Sequence, residues 1–223
     1  VTRKLVSGYY ADSKKGALYE RLRTLEDQGF IGKRFDSSYK LRGRPAAYYL
    51  LPAGVRILAQ HRNIKVTSTI YKNKTVSEQF ITHCLEIFTI HNWLRSHYGD
   101  QLTLLTKNGM GVYDFLLRPL PDAFLAIGKQ NAKRFFLDFL EDNKPFFQVT
   151  RRVRQYIAYE DSNQWAVTNA DFPVVILVCE SPRLEKRLTK YIKRQLYTNS
   201  SDVVFYLTNK ASGYRFTPIR RDV

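Results

Sequence analysis

The run "PVVILVCE" (173–180) constrains this chain more than any other stretch. Its apolar residues follow one another without alternation, at strand length. That is the pattern of a central strand buried on both faces. A helix is expected directly after it, over "SPRLEKRLTKYIKRQLY" (181–197), with Ser181 as its cap and Pro182 in its first turn. Shorter strand-like runs precede the pair: "LTLLT" (102–106), "YDFLLR" (113–118), "DAFLAI" (122–127) and "RFFLDFL" (134–140). A helix is predicted over "VTRRVRQYIAYE" (149–160) and a last strand over "DVVFYLT" (202–208). The class is therefore α/β (α+β), with a mixed sheet.

Upstream, "SEQFITHCLEIFTIHNWLRSHYG" (77–99) predicts a helix with a broad apolar face that includes Phe80, Cys84, Ile90 and Leu94. His83 and His91 lie on or beside that face, eight residues apart. They read as packing or hydrogen-bonding residues, because that spacing makes no zinc pair by itself. Before this helix, residues 63–76 are polar and weakly periodic. The expected organisation is a first domain over 1–62, a linker over 63–76 and an α/β domain over 77–223.

The first segment reads as helix, hairpin, helix. "SKKGALYERLRTLEDQG" (13–29) is a helix with Ser13 or Asp12 as cap and Leu18, Leu22 and Leu25 as a buried stripe. Gly29 is its left-handed stop, and Phe30 is expected to fold back onto the core. "FIGKRF" and "AAYYLL" read as strands around the turn-rich "DSSYKLRGRP", with Gly43 and Pro45 keeping the tip tight. "PAGVRILAQH" restarts a helix at Pro52. This order is the tail of a winged helix-turn-helix. Its helix would enter the major groove and its hairpin tip would lie along the backbone. Lys14, Lys15, Tyr19 and Arg23 would then meet DNA from the helix, and Lys40, Arg42 and Arg44 would meet phosphates from the tip. Phosphate contacts position a protein without reading sequence.

The charge balance points to the same partner. The chain has 223 residues with 36 Lys and Arg against 20 Asp and Glu, a formal net charge of +16. An excess of that size speaks for nucleic acid or an anionic surface as partner. Residues 1–65 carry fourteen bases and five acids, so the first segment is the denser basic unit. No run of eighteen apolar residues predicts a membrane span, and no secretory signal is read. Cys84 and Cys179 read as reduced core residues, which fits a cytoplasmic chain. The chain begins at Val1 rather than Met, which leaves open whether residues precede it, the first helix of the N-terminal domain among them.

"LYERLRTLEDQG" followed by "GRPAAYYLLPAGVRIL" resembles the N-terminal half of the replication-relaxation proteins of plasmids and mobile elements. The second half follows in order with "THCLEIF", "PDAFLAI", "FFLDFL", "RRVRQYIAY" and "FPVVILVCESPRLEKRL". The resemblance implies a restriction-endonuclease-like second domain, whose nuclease members carry a PD-(D/E)xK signature. Their chemistry needs two carboxylates on adjacent strands around a divalent cation that activates water. A Lys two positions after the second carboxylate supports the hydroxide. The matching residues here are Asp122 after Pro121, Asp138, and Leu140 at the Lys position. Glu141 and Asp142 could add oxygens. Arg152 is the candidate for a basic group moved to the next helix, but an Arg stays protonated and cannot act as a base. The bland reading of Asp122 and Asp138 is a strand-start acid and a polar residue paired with Arg151 or Arg152. Asp138 is accordingly expected to be hydrogen-bonded to a basic or backbone group.

The leading reading is a DNA-binding accessory protein of a plasmid or mobile element, used in replication, mobilisation or transposition, with an inactive nuclease-like domain. No cofactor is expected under it, and double-stranded DNA is the partner, with other mobile-element proteins as further candidates. The alternatives are a metal-dependent endonuclease, with Mg²⁺ or Mn²⁺ at Asp122 and Asp138, and a protein-interaction subunit of a nucleoprotein assembly.

Overall fold

The computed structural model describes residues 1–9, 15–62 and 74–220, with only the backbone described at Lys15 and Arg62. The chain divides into two compact units, Val1–Ser96 and His97–Val223. The linker expected over 63–76 falls largely outside the described residues.

The first unit runs α1 (Arg3–Tyr9), α2 (Lys15–Asp27), β1 (Ile31–Arg34), α3 (Ser37–Leu41), β2 (Ala47–Leu50), α4 (Pro52–Arg62) and α5 (Glu78–Tyr98). Helix α2 stops where its sequence says it should. Gly29 takes a φ of 71° and its N–H donates to the Glu26 carbonyl at 2.9 Å. The Phe30 N–H donates to the Leu25 carbonyl at 2.9 Å, so two carbonyls orphaned at the helix end are satisfied. Strands β1 and β2 pair antiparallel from Ile31↔Leu50 to Arg34↔Ala47. Helix α4 starts so close to this ribbon that a Cβ at Gly54 would collide with the Phe30 carbonyl oxygen.

Three expectations for this unit are corrected. Leu18 and Leu22 are buried with Ile31, but Leu25 is 38% exposed. It lines an open apolar cleft of about 450 Å³ together with Phe80, Cys84 and Leu85. Cys84, read as a core residue, is likewise exposed, whereas Cys179 is buried; neither is in a disulfide. The hairpin tip is not a tight turn. Asp36 caps the short helix α3 instead, its Oδ1 accepting from the Ser38 N–H at 2.9 Å and the Tyr39 N–H at 3.2 Å.

Helix α5, expected to open the second domain, is held almost entirely within the first unit. Its Glu78 accepts a hydrogen bond from the Tyr39 hydroxyl at 2.7 Å and pairs with Arg34 at 3.3 Å and Arg44 at 3.7 Å. Further along, Asn92 Nδ2 donates to the Leu5 carbonyl at 2.9 Å. The Arg95 guanidinium lies 3.9 Å from the centre of the Tyr9 ring. His91 packs against Tyr9 and Phe88, with ring centroids 5.8 Å away, and burial lowers its pKa.

The second unit runs β3 (Leu102–Thr106), α6 (Lys107–Met110), β4 (Ala123–Ile127), β5 (Lys133–Leu140), α7 (Phe146–Asp161), β6 (Val174–Cys179), α8 (Pro182–Asn199), β7 (Phe205–Asn209) and β8 (Thr217–Ile219). Its six strands form one mixed sheet in the order β3-β4-β5-β6-β7-β8. Strands β5, β6 and β7 are parallel and the other pairings are antiparallel. The "VVILVC" run is the inner strand β6, with Val175, Leu177 and Cys179 fully buried and Ile176 and Val178 nearly so. Helices α7 and α8 are the crossovers into and out of it, packed beside each other. Val153, Leu188 and Ile192 from these helices share a core with Phe136, Leu177 and Leu207 from the sheet. Ser181 caps α8, accepting from the Leu184 N–H at 3.1 Å, with Pro182 at its start.

Residues 113–118 form turns rather than the expected strand. Leu116 and Leu117 are both buried side by side, so this stretch has no strand-like alternation. The Tyr113 N–H turns back to Met110 and the Leu116 N–H to Tyr113, and Pro119 and Pro121 lack ladder donors. The closing strand β8 carried no strand signal in the sequence. No helix among the described residues is long and apolar enough to cross a membrane.

Candidate functional site

The two-residue period of β5 places Phe136, Asp138 and Leu140 on one face, the face that α7 covers. A carboxylate is thereby set into an apolar layer, and the chain surrounds it with donors. Arg152 Nε donates to Asp138 Oδ2 at 2.6 Å, and the Tyr156 hydroxyl donates to the same oxygen at 2.7 Å. Asp138 Oδ1 accepts the Asp122 N–H at 3.1 Å. Arg152 and Tyr156 are one helical turn apart on α7, so both reach the same strand position. The guanidinium also donates through Nη1 to the Pro119 carbonyl at 2.8 Å, next to the cis Arg118–Pro119 bond.

Asp122, at the start of β4, completes a reciprocal arrangement. Its Oδ2 accepts the Phe139 N–H at 2.9 Å, while its Oδ1 pairs with Lys107 Nζ at 2.7 Å. Each carboxylate thus bonds to backbone beside the other and holds its own cation. Burial lifts the Asp138 carboxyl above its ordinary value, opposed by the Arg152 charge. Burial works against the Arg152 charge too, but Asp138 and Tyr156 hold its pKa above the ordinary guanidinium value. The Tyr156 hydroxyl is raised by burial and by the carboxylate beside it.

The endonuclease alternative needs a divalent cation at these carboxylates, and the residues present do not fit one. The Asp138 oxygens are taken by Arg152, Tyr156 and a backbone N–H. Leu140, where that alternative would require a Lys, is buried in the core. Glu141 pairs with Lys144 at 2.8 Å, and Asp142 accepts from the Ser181 hydroxyl at 2.9 Å. Arg151 is exposed on the other side of α7; Arg152 is the partner of the pair. Sequence reasoning missed Lys107 and Tyr156. Tyr156 had a signal, its spacing of four from Arg152. Lys107 had none, because β3 and a four-residue helix bring it to Asp122 across fifteen residues.

The candidate DNA contacts are spread over two elements of the first unit. On α2, Tyr19 and Arg23 are exposed. The Arg3 guanidinium lies 5.8 Å from the Tyr19 ring, and Arg23 makes an exposed pair with Asp27 at 3.9 Å. Lys14 lies outside the described residues, and the Lys15 side chain is not described. In the β1–β2 connection Lys40 and Arg42 are exposed, and Lys40 Nζ sits 5.8 Å from the Phe35 ring centre. Arg44 is tied to Glu78 but remains exposed.

Comparison with protein-family models, with curated proteins and with solved structures finds no match to this chain.

Proposed function

We propose that the chain is a DNA-binding accessory protein of a plasmid or mobile genetic element, joining a winged helix-turn-helix to a nuclease-like domain that does not cut. The carrying observation is the first unit's element order together with what it exposes. A helix, a two-stranded ribbon with a basic connection and a second helix follow one another, and Tyr19, Arg23, Lys40 and Arg42 all face solvent. Exposed bases on a helix and on a neighbouring connection are the electrostatic footprint of a duplex reader. The inert character of the second domain is supported by Arg152, a permanent cation seated on Asp138. The endonuclease alternative is favoured by one observation, the Lys107 ammonium beside Asp122.

The test is nicking of supercoiled plasmid in Mg²⁺ or Mn²⁺, with the native chain, Asp138→Asn and Lys107→Ala in parallel. The expected result is no metal-dependent nicking by any of the three. Nicking by the native chain that disappears in both variants would overturn the inert reading and promote the enzyme. The same preparations should shift a duplex in a gel without added metal; failure of the native chain to do so would remove the DNA-binding reading.

A further inference from the structure

Helix α8 buries Leu184, Leu188, Ile192 and Leu196 in the core and turns the rest of its circumference outward. That outward side carries Arg183, Lys186, Arg187, Lys190, Lys193 and Arg194, all exposed, against one acidic residue, Glu185. Glu185 is occupied by Asn209. Among the described residues, none of the six bases has a carboxylate within ion-pairing distance.

Two physical costs mark this face. Like charges at spacings of three and four destabilise a helix, and Arg183–Arg187, Lys186–Lys190, Arg187–Lys190 and Lys190–Arg194 are such pairs. Arg183 and Lys186 also lie in the first turns, where the helix dipole disfavours cations. The neighbouring helix α7 extends the face instead of neutralising it. Arg154 reaches the Tyr191 hydroxyl at 3.4 Å, and Arg187 stacks 3.7 Å from the centre of the Phe146 ring. Both guanidinium groups are thus held in place at the α7–α8 seam, which lowers the entropy given up on engaging a ligand. Two aromatic side chains stand out from the same helices, Phe147 at 65% exposed and Tyr197 at 81%.

We propose that the outward face of α8, with the adjoining edge of α7, is a second nucleic-acid surface that grips the phosphates of duplex DNA. It goes beyond the first-unit reading and stands without it. A membrane surface fits less well, because an interfacial helix needs its apolar side free, and that side of α8 is in the core. The spacing suits a phosphate strand. Arg183 and Arg194 are about 16 Å apart along the helix at about 1.5 Å per residue, and phosphates follow one another at about 3.4 Å of rise per strand.

The test is fluorescence anisotropy of a 30-base-pair duplex with the full chain from about 50 to 200 mM salt. It compares the native chain with Lys186→Gln/Lys190→Gln/Arg194→Gln and, separately, with Arg42→Ala/Arg44→Ala. The α8 triple variant is expected to melt no lower than the native chain, because it relieves like-charge pairs along the helix. Its slope of log affinity against log salt should fall by about 0.9 for each phosphate no longer neutralised, about 2.7 in all. An unchanged slope in the triple variant overturns the proposal, even if the Arg42/Arg44 variant has a shallower slope and the first-unit reading survives. The reverse pattern keeps the α8 surface and removes the first-unit reading. Two further arms use a single-stranded 30-mer and phosphatidylserine vesicles. A triple variant that releases either of these ligands while holding the duplex as the native chain does also overturns the proposal.

Discussion

Asp138 and Arg152 are each nearly buried, and each is the main reason the other can be. A charge pair of this kind gains little over an apolar pair, because desolvation offsets the attraction. Removing one partner, however, strands the other in a low-dielectric layer. Arg152→Met is therefore expected to cost about 3–5 kcal/mol in urea unfolding. The double variant Asp138→Leu/Arg152→Met should recover most of that loss, a non-additivity a double-mutant cycle reads directly. A loss below about 1 kcal/mol for Arg152→Met, the range of an exposed pair, would mean that the pair is solvated. The pairing of Asp138 with a base on the following helix was legible in the sequence, because "LDFL" puts an acid in an apolar strand and "RRVRQY" puts bases one helix later. Lys107 was not legible. Its place depends on where β3 lies in the sheet, and strand order is not written in local periodicity.

At the scale of elements, regular patterns translated well and short irregular ones did not. The uniform apolar run became β6, the Ser-Pro start became the capped α8, and Gly29 ended α2. In the β1–β2 connection Gly43 and Pro45 suggest a tight turn, but the deciding residue is Asp36, whose side chain builds a helix turn. That turn carries Tyr39 inward to Glu78, which in turn draws the first turn of α5 into the first unit. This hub has a pH signature. Burial, with the Glu78 hydrogen bond second, pushes the Tyr39 hydroxyl up to about 12. A raised folded pKa means the protonated hydroxyl is the form the fold favours. Its contribution is complete below about 10, the value for an unfolded tyrosine, and is lost as pH rises through about 12. Urea midpoints of the native chain should therefore fall between pH 10 and 12 more steeply than those of Tyr39→Phe. Superimposable pH profiles would show that the hub does not contribute.

For the whole molecule, the net charge of +16 is the property that most limits what it can bind. It is spread over both units, with exposed bases on the β1–β2 connection in one and on α8 in the other. The structure divides the chain near the end of α5, whereas the polar stretch over 63–76 points to a boundary before it. The contacts of Glu78, Asn92 and Arg95 decide that, and they are tertiary. The proposed function rests on duplex DNA being held through phosphate contacts from the first unit. The most direct measurement is the salt dependence of duplex affinity for the native chain and for Arg42→Ala/Arg44→Ala. A steep native slope is expected, with a slope lower by about 0.9 for each phosphate the variant no longer neutralises and a similar fractional weakening on every sequence tried. Full affinity with an unchanged slope in the double variant would contradict it.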